Sequence, residues 1–188
     1  MKQIFDDKIF DKVNPNDDFE NEYNGCTFKN CDFSNVHFDS TELIDCQFIS
    51  CNLSMTKFDG TTLNQVKFES CKLIGVDFSK CSKFLFSVSF ENSILNYSLF
   101  SKNDLKNTLF KDCKLIEASF IETNLTSAKF INCDLDKTIF DRNNFEKADF
   151  STSKNYTINP ELNRLKKTKF AIPDVIGLLS NLDIIIEG

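Results

Sequence analysis

The sequence predicts an all-β solenoid, in which the chain winds into a coil and turns a corner every five residues. From Phe28 every fifth residue is Phe or Leu as far as Phe78, and the same spacing resumes at Leu85 and continues to Phe150. The position two before each of these central residues is small in almost every repeat. A period of five fits neither the helical period of 3.6 nor the strand period of 2. It favours short strand segments with inward side chains, separated by turns.

The central residues also predict how many faces each coil has. From Phe48 onwards they alternate between Phe and Leu, with Phe145 as the exception, which indicates an even number of faces. Two faces would give a ribbon too thin for stacked Phe rings, so four faces and twenty residues per coil are the smallest workable number. Central residues twenty apart then stack and form the core. One predicted column contains Phe48, Phe68, Phe90, Phe110 and Phe130.

Three segments flank or interrupt the repeats. Residues 1–20 hold six acids and three Lys, and we expect them to form a cap or a disordered tail. The repeat array covers residues 21–152. The spacing of seven from Phe78 to Leu85 indicates a two-residue bulge near residues 79–84 in a continuous coil.

Residues 153–188 differ in kind from the repeats. Pro173 followed by Asp174 is typical of a helix start, and an apolar stripe with i, i+3, i+4, i+7 spacing follows. The run 184–186 is three consecutive Ile residues. The pattern predicts a short C-terminal α-helix followed by a strand.

The five-residue repeats of 21–152 resemble the pentapeptide-repeat family. The resemblance implies a right-handed quadrilateral β-helix. Within that family, residues 169–188 resemble the terminus of the quinolone-resistance (Qnr-type) proteins, which joins two solenoids end to end. The implied homodimer interface consists of Val175, Leu178, Leu179, Leu182, Ile184 and Ile186. A monomeric cap is the alternative.

All eight Cys occupy the small position two before a central residue. There is no CxxC pair and only one His, His37, so we expect no metal site and no cofactor. The favoured interpretation is that each thiol is a small buried side chain chosen for its volume. A redox or metal ladder is the alternative.

Composition disfavours several classes of function. The formal net charge is -6, from 22 Lys and Arg against 28 Asp and Glu, so neither nucleic acid nor a membrane surface is expected as a partner. No signal peptide or membrane span is predicted, which favours a cytoplasmic location. His37 lies in an outward position and no buried carboxylate pair is evident, so we expect no catalytic residues and no enzyme.

The resemblance implies a function as well. Qnr-type proteins bind type II topoisomerases, DNA gyrase above all and also topoisomerase IV, by mimicking DNA, and they protect the enzyme from quinolones. The array should be roughly 32 Å long at about 4.8 Å per coil, so a dimer of about 65 Å would span some 19 base pairs. Its net charge is -4, from 18 acids and 14 bases. The alternative is a protein-interaction scaffold with an unidentified partner, for which outward Phe84 and Phe86 in the bulge are the candidate contacts.

Overall fold

Short parallel strands stack in register along the chain, as a five-residue repeat with inward central residues requires. The computed structural model describes residues 3–13 and 21–187. Its strands are β1 (Ile4–Asp6), β2 (Ile9–Asp11), β3 (Glu22–Asn24), β4 (Thr27–Lys29), β5 (Glu42–Ile44), β6 (Gln47–Ile49), β7 (Thr62–Asn64), β8 (Val66–Glu69), β9 (Val88–Glu91), β10 (Leu109–Lys111), β11 (Ser119–Ile121), β12 (Lys129–Ile131) and β13 (Ile139–Asp141).

Pairing between residues twenty apart builds the coil. β1, β3, β5 and β7 form one parallel sheet, and β2, β4, β6, β8, β9, β10 and β12 form a second. Isolated bridges such as Asp32 to Asn52 and His37 to Lys57 supply a third and a fourth column. The prediction of an all-β parallel solenoid is therefore confirmed. The right-handed sense and the square cross-section stay predictions.

Two stacks of aromatic rings fill the core. The longer stack contains Phe10, Phe28, Phe48, Phe68, Phe90, Phe110, Phe130, Phe150 and Phe170, with successive centroids 4.5–5.7 Å apart and near-parallel rings. The second contains Phe38, Phe58, Phe78, Phe100, Phe120 and Phe140. Rings of the two stacks meet edge to face, which is the favoured geometry for aromatic pairs. All predicted central residues except Leu85 are buried.

At many of the small positions two before a central residue, the side chain also donates a hydrogen bond. Thr61 Oγ1 donates to the Phe38 carbonyl at 2.7 Å, and Cys71 Sγ lies 3.4 Å from the Phe48 carbonyl. Asn143, an exception to the small-residue rule, donates from Nδ2 to the Phe120 carbonyl at 2.9 Å. Each donor reaches a central residue one coil earlier. Volume alone therefore does not explain which residues occupy this position.

The corners are made by a residue two after each central position. Asn30 and Ser50 have φ near +54°, the left-handed region, and Gly60 has φ of +69°. The Asn30 amide donates to the Ile49 carbonyl at 3.0 Å, so the corner keeps its backbone bond to the next coil. This bond offsets the cost of placing a non-glycine residue at positive φ.

The insertion leaves the coil continuous but changes which side chains point inward. A short 3-10 helix, Phe78–Lys80, starts the loop, and β9 resumes pairing with Val88 opposite Val66. Extended backbone alternates its side chains, so Phe86 points inward with Val88 and is only 8% exposed, while Leu85 points outward and is 55% exposed. The prediction that Leu85 is a core centre is wrong, and so is the outward position expected for Phe86.

The described part of the N-terminal segment extends the solenoid. β1 and β2 pair in parallel with β3 and β4, and the Phe10 ring stacks on Phe28 at 5.0 Å. Residues 3–13 thus add a first coil. The remainder of the expected N-terminal cap or tail, residues 1–2 and 14–20, lies outside the described residues.

The C-terminal segment differs from the predicted α-helix and strand. A 3-10 helix spans Asp174–Leu178, and 179–187 contains no strand within the described residues. The Gly177 carbonyl accepts bonds from Ile158 N at 3.2 Å and Ser180 Oγ at 3.0 Å. The helix is of the 3-10 type because the Ile176 amide donates to the Pro173 carbonyl at 3.2 Å and the Leu179 amide to the Ile176 carbonyl at 2.9 Å, each three residues back. A helix is present where the sequence predicts one, but it is a 3-10 helix and not an α-helix.

Candidate interaction surface

Outward charged side chains pair mainly with the neighbouring coil. Arg164 Nη2 lies 2.6 Å from Glu146, Lys102 lies 3.7 Å from Glu122, and Lys169 lies 3.4 Å from Asp149. Residues about twenty apart are one coil spacing apart, which brings these groups together. The acids on the rod are therefore partly neutralised within the same molecule.

Some acids are held in place by the turns that follow them. Asp32 Oδ1 accepts bonds from the Ser34 amide at 3.0 Å and hydroxyl at 2.6 Å, and Asp77 and Asp149 make the same contacts with the Ser two residues later. The hydrogen bonds from Ser34 lower the pKa of Asp32 below its ordinary value. These carboxylates are fixed anions rather than mobile ones.

The insertion loop carries an exposed apolar pair. The Phe84 side chain is 72% exposed and Leu85 lies beside it, whereas Phe86 belongs to the core. Of the two candidate contacts expected in the bulge, the structure leaves Phe84 at the surface and adds Leu85. The exposure of Leu85 depends on the register at which β9 resumes pairing, with Val88 opposite Val66.

The C-terminal end presents a second apolar surface. Of the six expected interface residues, Leu179, Leu182, Ile184 and Ile186 are exposed, Val175 is partly buried, and Leu178 packs partly against the core. Ile172, Ile176 and Ile185, which the helical stripe did not include, are also exposed. We call the seven exposed residues the apolar end. Because all seven lie within residues 172–186, this segment is a candidate interaction site.

The thiols and the single His form no such surface. All eight Cys are free and buried, and burial raises the pKa of Cys31 to about 11 and that of Cys46 to about 12. His37 Nδ1 lies 3.0 Å from Asp39 on the exposed outer surface. In the described ranges no group of three or more His, Cys, Asp or Glu could hold a metal ion. No helix in this part of the chain is long and apolar enough to span a membrane.

Comparison with known proteins agrees with this geometry. A family model described as a pentapeptide repeat region matches residues 22–97, and one described as the SV2A/B/C luminal domain matches residues 79–140. No curated protein matches the sequence significantly. Residues 22–97 are therefore similar to a pentapeptide-repeat region.

Solved structures extend the likeness to the whole fold. Two trypsin-treated variants of QnrB1, a plasmid-mediated fluoroquinolone resistance protein, align with TM-scores of 0.63. The alignments cover 99% of this chain and 98% and 99% of those chains, at 20% and 22% sequence identity. The fold is therefore Qnr-like from end to end.

Proposed function

We propose that this protein binds a type II topoisomerase, DNA gyrase or topoisomerase IV, as a non-enzymatic mimic of duplex DNA and protects it from quinolones. The observation that carries the proposal is the end-to-end structural match to QnrB1, a fluoroquinolone resistance protein. The site of action would be the cytoplasm, where these enzymes meet the chromosome.

The dimensions of the rod support this proposal. The long ring stack has nine members, from Phe10 to Phe170, and we call the contribution of one coil to a column a level. Nine levels span about 38 Å at about 4.8 Å per level, which corresponds to about 11 base pairs at about 3.4 Å each. Two such rods joined end to end would cover about 22 base pairs. Turn-fixed carboxylates such as Asp32 and Asp77 would take the place of phosphates on that surface.

The dimer would form through the apolar end. A two-fold contact there is isologous, so one apolar surface serves both chains and closes the assembly without growth into a fibre. Burial of side chains such as Leu182 and Ile185, now 52% and 89% exposed, would supply the driving force.

A supercoiling assay tests the function. Gyrase is incubated with relaxed plasmid and a quinolone, with and without this protein. We expect the protein to restore supercoiling in the presence of the drug and to inhibit gyrase only at higher concentration. No restoration at any concentration would contradict the proposal.

A paired variant tests the dimer separately. Leu182→Arg with Ile184→Arg places charge on exposed positions of the apolar end and spares Leu178, which packs on the core. We expect a folded monomer of about 22 kDa by light scattering at high salt, and weaker protection of gyrase than the parent gives. A monomer with undiminished protection would show that end-to-end mimicry is the wrong mechanism, and an unchanged mass would show that the segment is only a cap. Ser180→Ala, at an exposed position of the same segment, is the matched control.

The scaffold function remains the second candidate because of one observation. Phe84 and Leu85 are exposed side by side on the insertion loop, away from the apolar end. Exposed apolar side chains that lie together mark a candidate site of protein–protein contact.

A further inference from the structure

One outer face of the solenoid, which we call the loop face, contains the insertion loop. It consists of the outward side chains of β1, β3, β5 and β7, then loop residues 82–87, then the bridged column Asp104, Asn124, Asn144 and Arg164. The loop lies directly over β7, since Ser82 N and Ser87 N donate to the Thr61 and Leu63 carbonyls at 2.9 and 2.8 Å.

The loop is the middle level of this face. Four levels precede it, centred on Phe5, Tyr23, Leu43 and Leu63, and four follow it, centred on Leu105, Leu125, Phe145 and Leu165. A two-fold axis that passes over the loop, parallel to the face and perpendicular to the rod, would therefore place the first level of one copy opposite the ninth level of the other, and the second opposite the eighth.

The charges of the loop face are segregated along the rod. The four levels before the loop carry only acids, namely Asp6, Asp7, Glu22, Glu42 and Asp45. The four levels after it carry the bases Lys106, Lys147, Arg164, Lys166 and Lys167 and the acids Asp104 and Glu146. The other three columns carry both signs in both halves. The loop face alone is negative in one half and positive in the other, and its central level exposes Phe84 and Leu85 beside Lys83.

We propose that the loop face is a self-association surface, on which a second copy of this chain docks antiparallel about a two-fold axis through the two insertion loops. Phe84 and Leu85 of each copy meet at the centre. Asp6 and Asp7 of each copy lie opposite residues 164–167 of the other, so the same attraction occurs twice. A second copy matches both the polarity and the spacing of this face, because they are its own.

The area of the face sets the strength of the contact. The face is about 38 Å long and about 10 Å wide, the span of a three-residue strand, so two copies bury roughly 800 Å² in total. Interfaces of this size are weak and transient. We expect association in the micromolar range or weaker, reduced by salt because the terminal charges are exposed.

This association does not depend on gyrase binding or on the apolar end. Antiparallel docking uses a side of the rod, which leaves its ends open. The test is therefore made in the background Leu182→Arg with Ile184→Arg, where the end contact is removed, and the oligomeric state is measured by sedimentation equilibrium.

Complementary charge reversals test the antiparallel arrangement. One variant carries Asp6→Lys with Asp7→Lys, and the other carries Lys166→Glu with Lys167→Glu, all at exposed positions. Alone, each variant places like charges at both ends of the contact, so we expect monomers of 21.6 kDa. An equimolar mixture restores unlike charges at both ends, so we expect the dimer to return.

The control variant reverses two charges on a different column of the solenoid. Lys137→Glu with Lys154→Glu changes the net charge equally on another column, at exposed positions, and should leave the dimer intact. Circular dichroism verifies that each variant is folded. A parent that stays monomeric at low salt, single variants that dimerise as well as the parent, or a mixture that stays monomeric would each overturn the proposal.

Discussion

Phe110, in the middle of the long stack, is in contact with four other rings. Phe110 stacks on Phe90 at 5.2 Å and on Phe130 at 4.7 Å, and it meets Phe100 and Phe120 edge to face at 5.9 Å. Because the backbone on both sides is fixed in the ladder, the space left by a smaller side chain cannot collapse. We expect Phe110→Ala to lower the free energy of unfolding by about 3–5 kcal/mol.

Urea denaturation followed by circular dichroism measures this change. Ile139→Ala removes an apolar side chain that is 53% exposed, and it should alter stability by no more than about 0.5 kcal/mol. Equal midpoints for the two variants would show that the ring stack is not the main stabiliser.

The two Asn residues in the small inward positions allow a finer comparison. Asn143 uses both ends of its amide, since Nδ2 donates to the Phe120 carbonyl and Oδ1 accepts from Thr123 N, each at 2.9 Å. Asn103 donates to the Phe78 carbonyl at 3.1 Å, but its buried Oδ1 has no hydrogen-bond partner among the described residues.

Substitution by Ala should therefore affect the two positions unequally. Asn143→Ala leaves a buried donor and a buried acceptor unpaired, which costs about 2–4 kcal/mol. Asn103→Ala removes one hydrogen bond to the Phe78 carbonyl but also removes an unpaired oxygen. The free energy of unfolding should therefore fall by about 1 kcal/mol or less. The measurement is the urea midpoint of each variant. A larger loss at Asn103 would contradict this account of the inward donors.

The buried thiols make stability fall at high pH. Burial raises the pKa of Cys46 to about 12, above its ordinary value near 9. A folded pKa above the unfolded one favours the neutral form, so this contribution to stability is present below pH 9 and disappears as the pH rises towards 12. We expect urea midpoints to drop between pH 9 and the highest accessible pH, with a smaller drop in Cys46→Ala. An identical drop in the variant would assign the effect to other groups.

The C-terminal 3-10 helix docks through a glycine. A Cβ atom at Gly177 would lie 1.9 Å from the Tyr156 carbonyl oxygen, which is backbone and cannot move aside easily. Gly177→Ala should therefore detach the helix from the last coil while leaving the repeats folded. Hydrogen exchange should show faster exchange at Ile158, whose amide donates to Gly177.

Asp183→Ala, in the exposed part of the same segment, is the matched control and should exchange as the parent does. Unchanged protection of Ile158 in Gly177→Ala would mean that the helix does not depend on this close approach. Loss of protection throughout the repeats would mean instead that the C-terminal segment is required for the whole fold.

The repeats were predictable from sequence because every level obeys the same local rule. A central Phe or Leu, a small side chain two before it and a corner two after it fix the coil without reference to distant residues. Leu85 and Phe86 were misassigned because their orientation depends on where β9 resumes pairing, which the spacing alone does not reveal. The α-helix prediction was wrong because the amides of Ile176 and Leu179 bond three residues back, and apolar spacing alone does not distinguish this from a bond four residues back.

The interaction surfaces were only partly predictable. Phe84 and most of the apolar end follow from local apolar runs. The segregated charges of the loop face do not, because Asp6 and Arg164 are far apart in sequence and are related only once nine levels are counted on one column.

The rod as a whole should tolerate a change of length that respects its period. Deletion of residues 110–129 removes twenty residues and joins Leu109 to Phe130, so Phe130 would stack on Phe90 in place of Phe110. Because each coil contacts mainly its neighbours, we expect a folded protein that is shorter by about 4.8 Å and less stable by the contribution of one coil.

Deletion of residues 110–127 removes only two residues fewer, yet it shifts every later central residue by two positions and turns the downstream Phe side chains outward. That control should not form a complete solenoid. Small-angle X-ray scattering measures the length and circular dichroism the fold. If both deletions behave alike, the twenty-residue coil is not the unit that holds the molecule together.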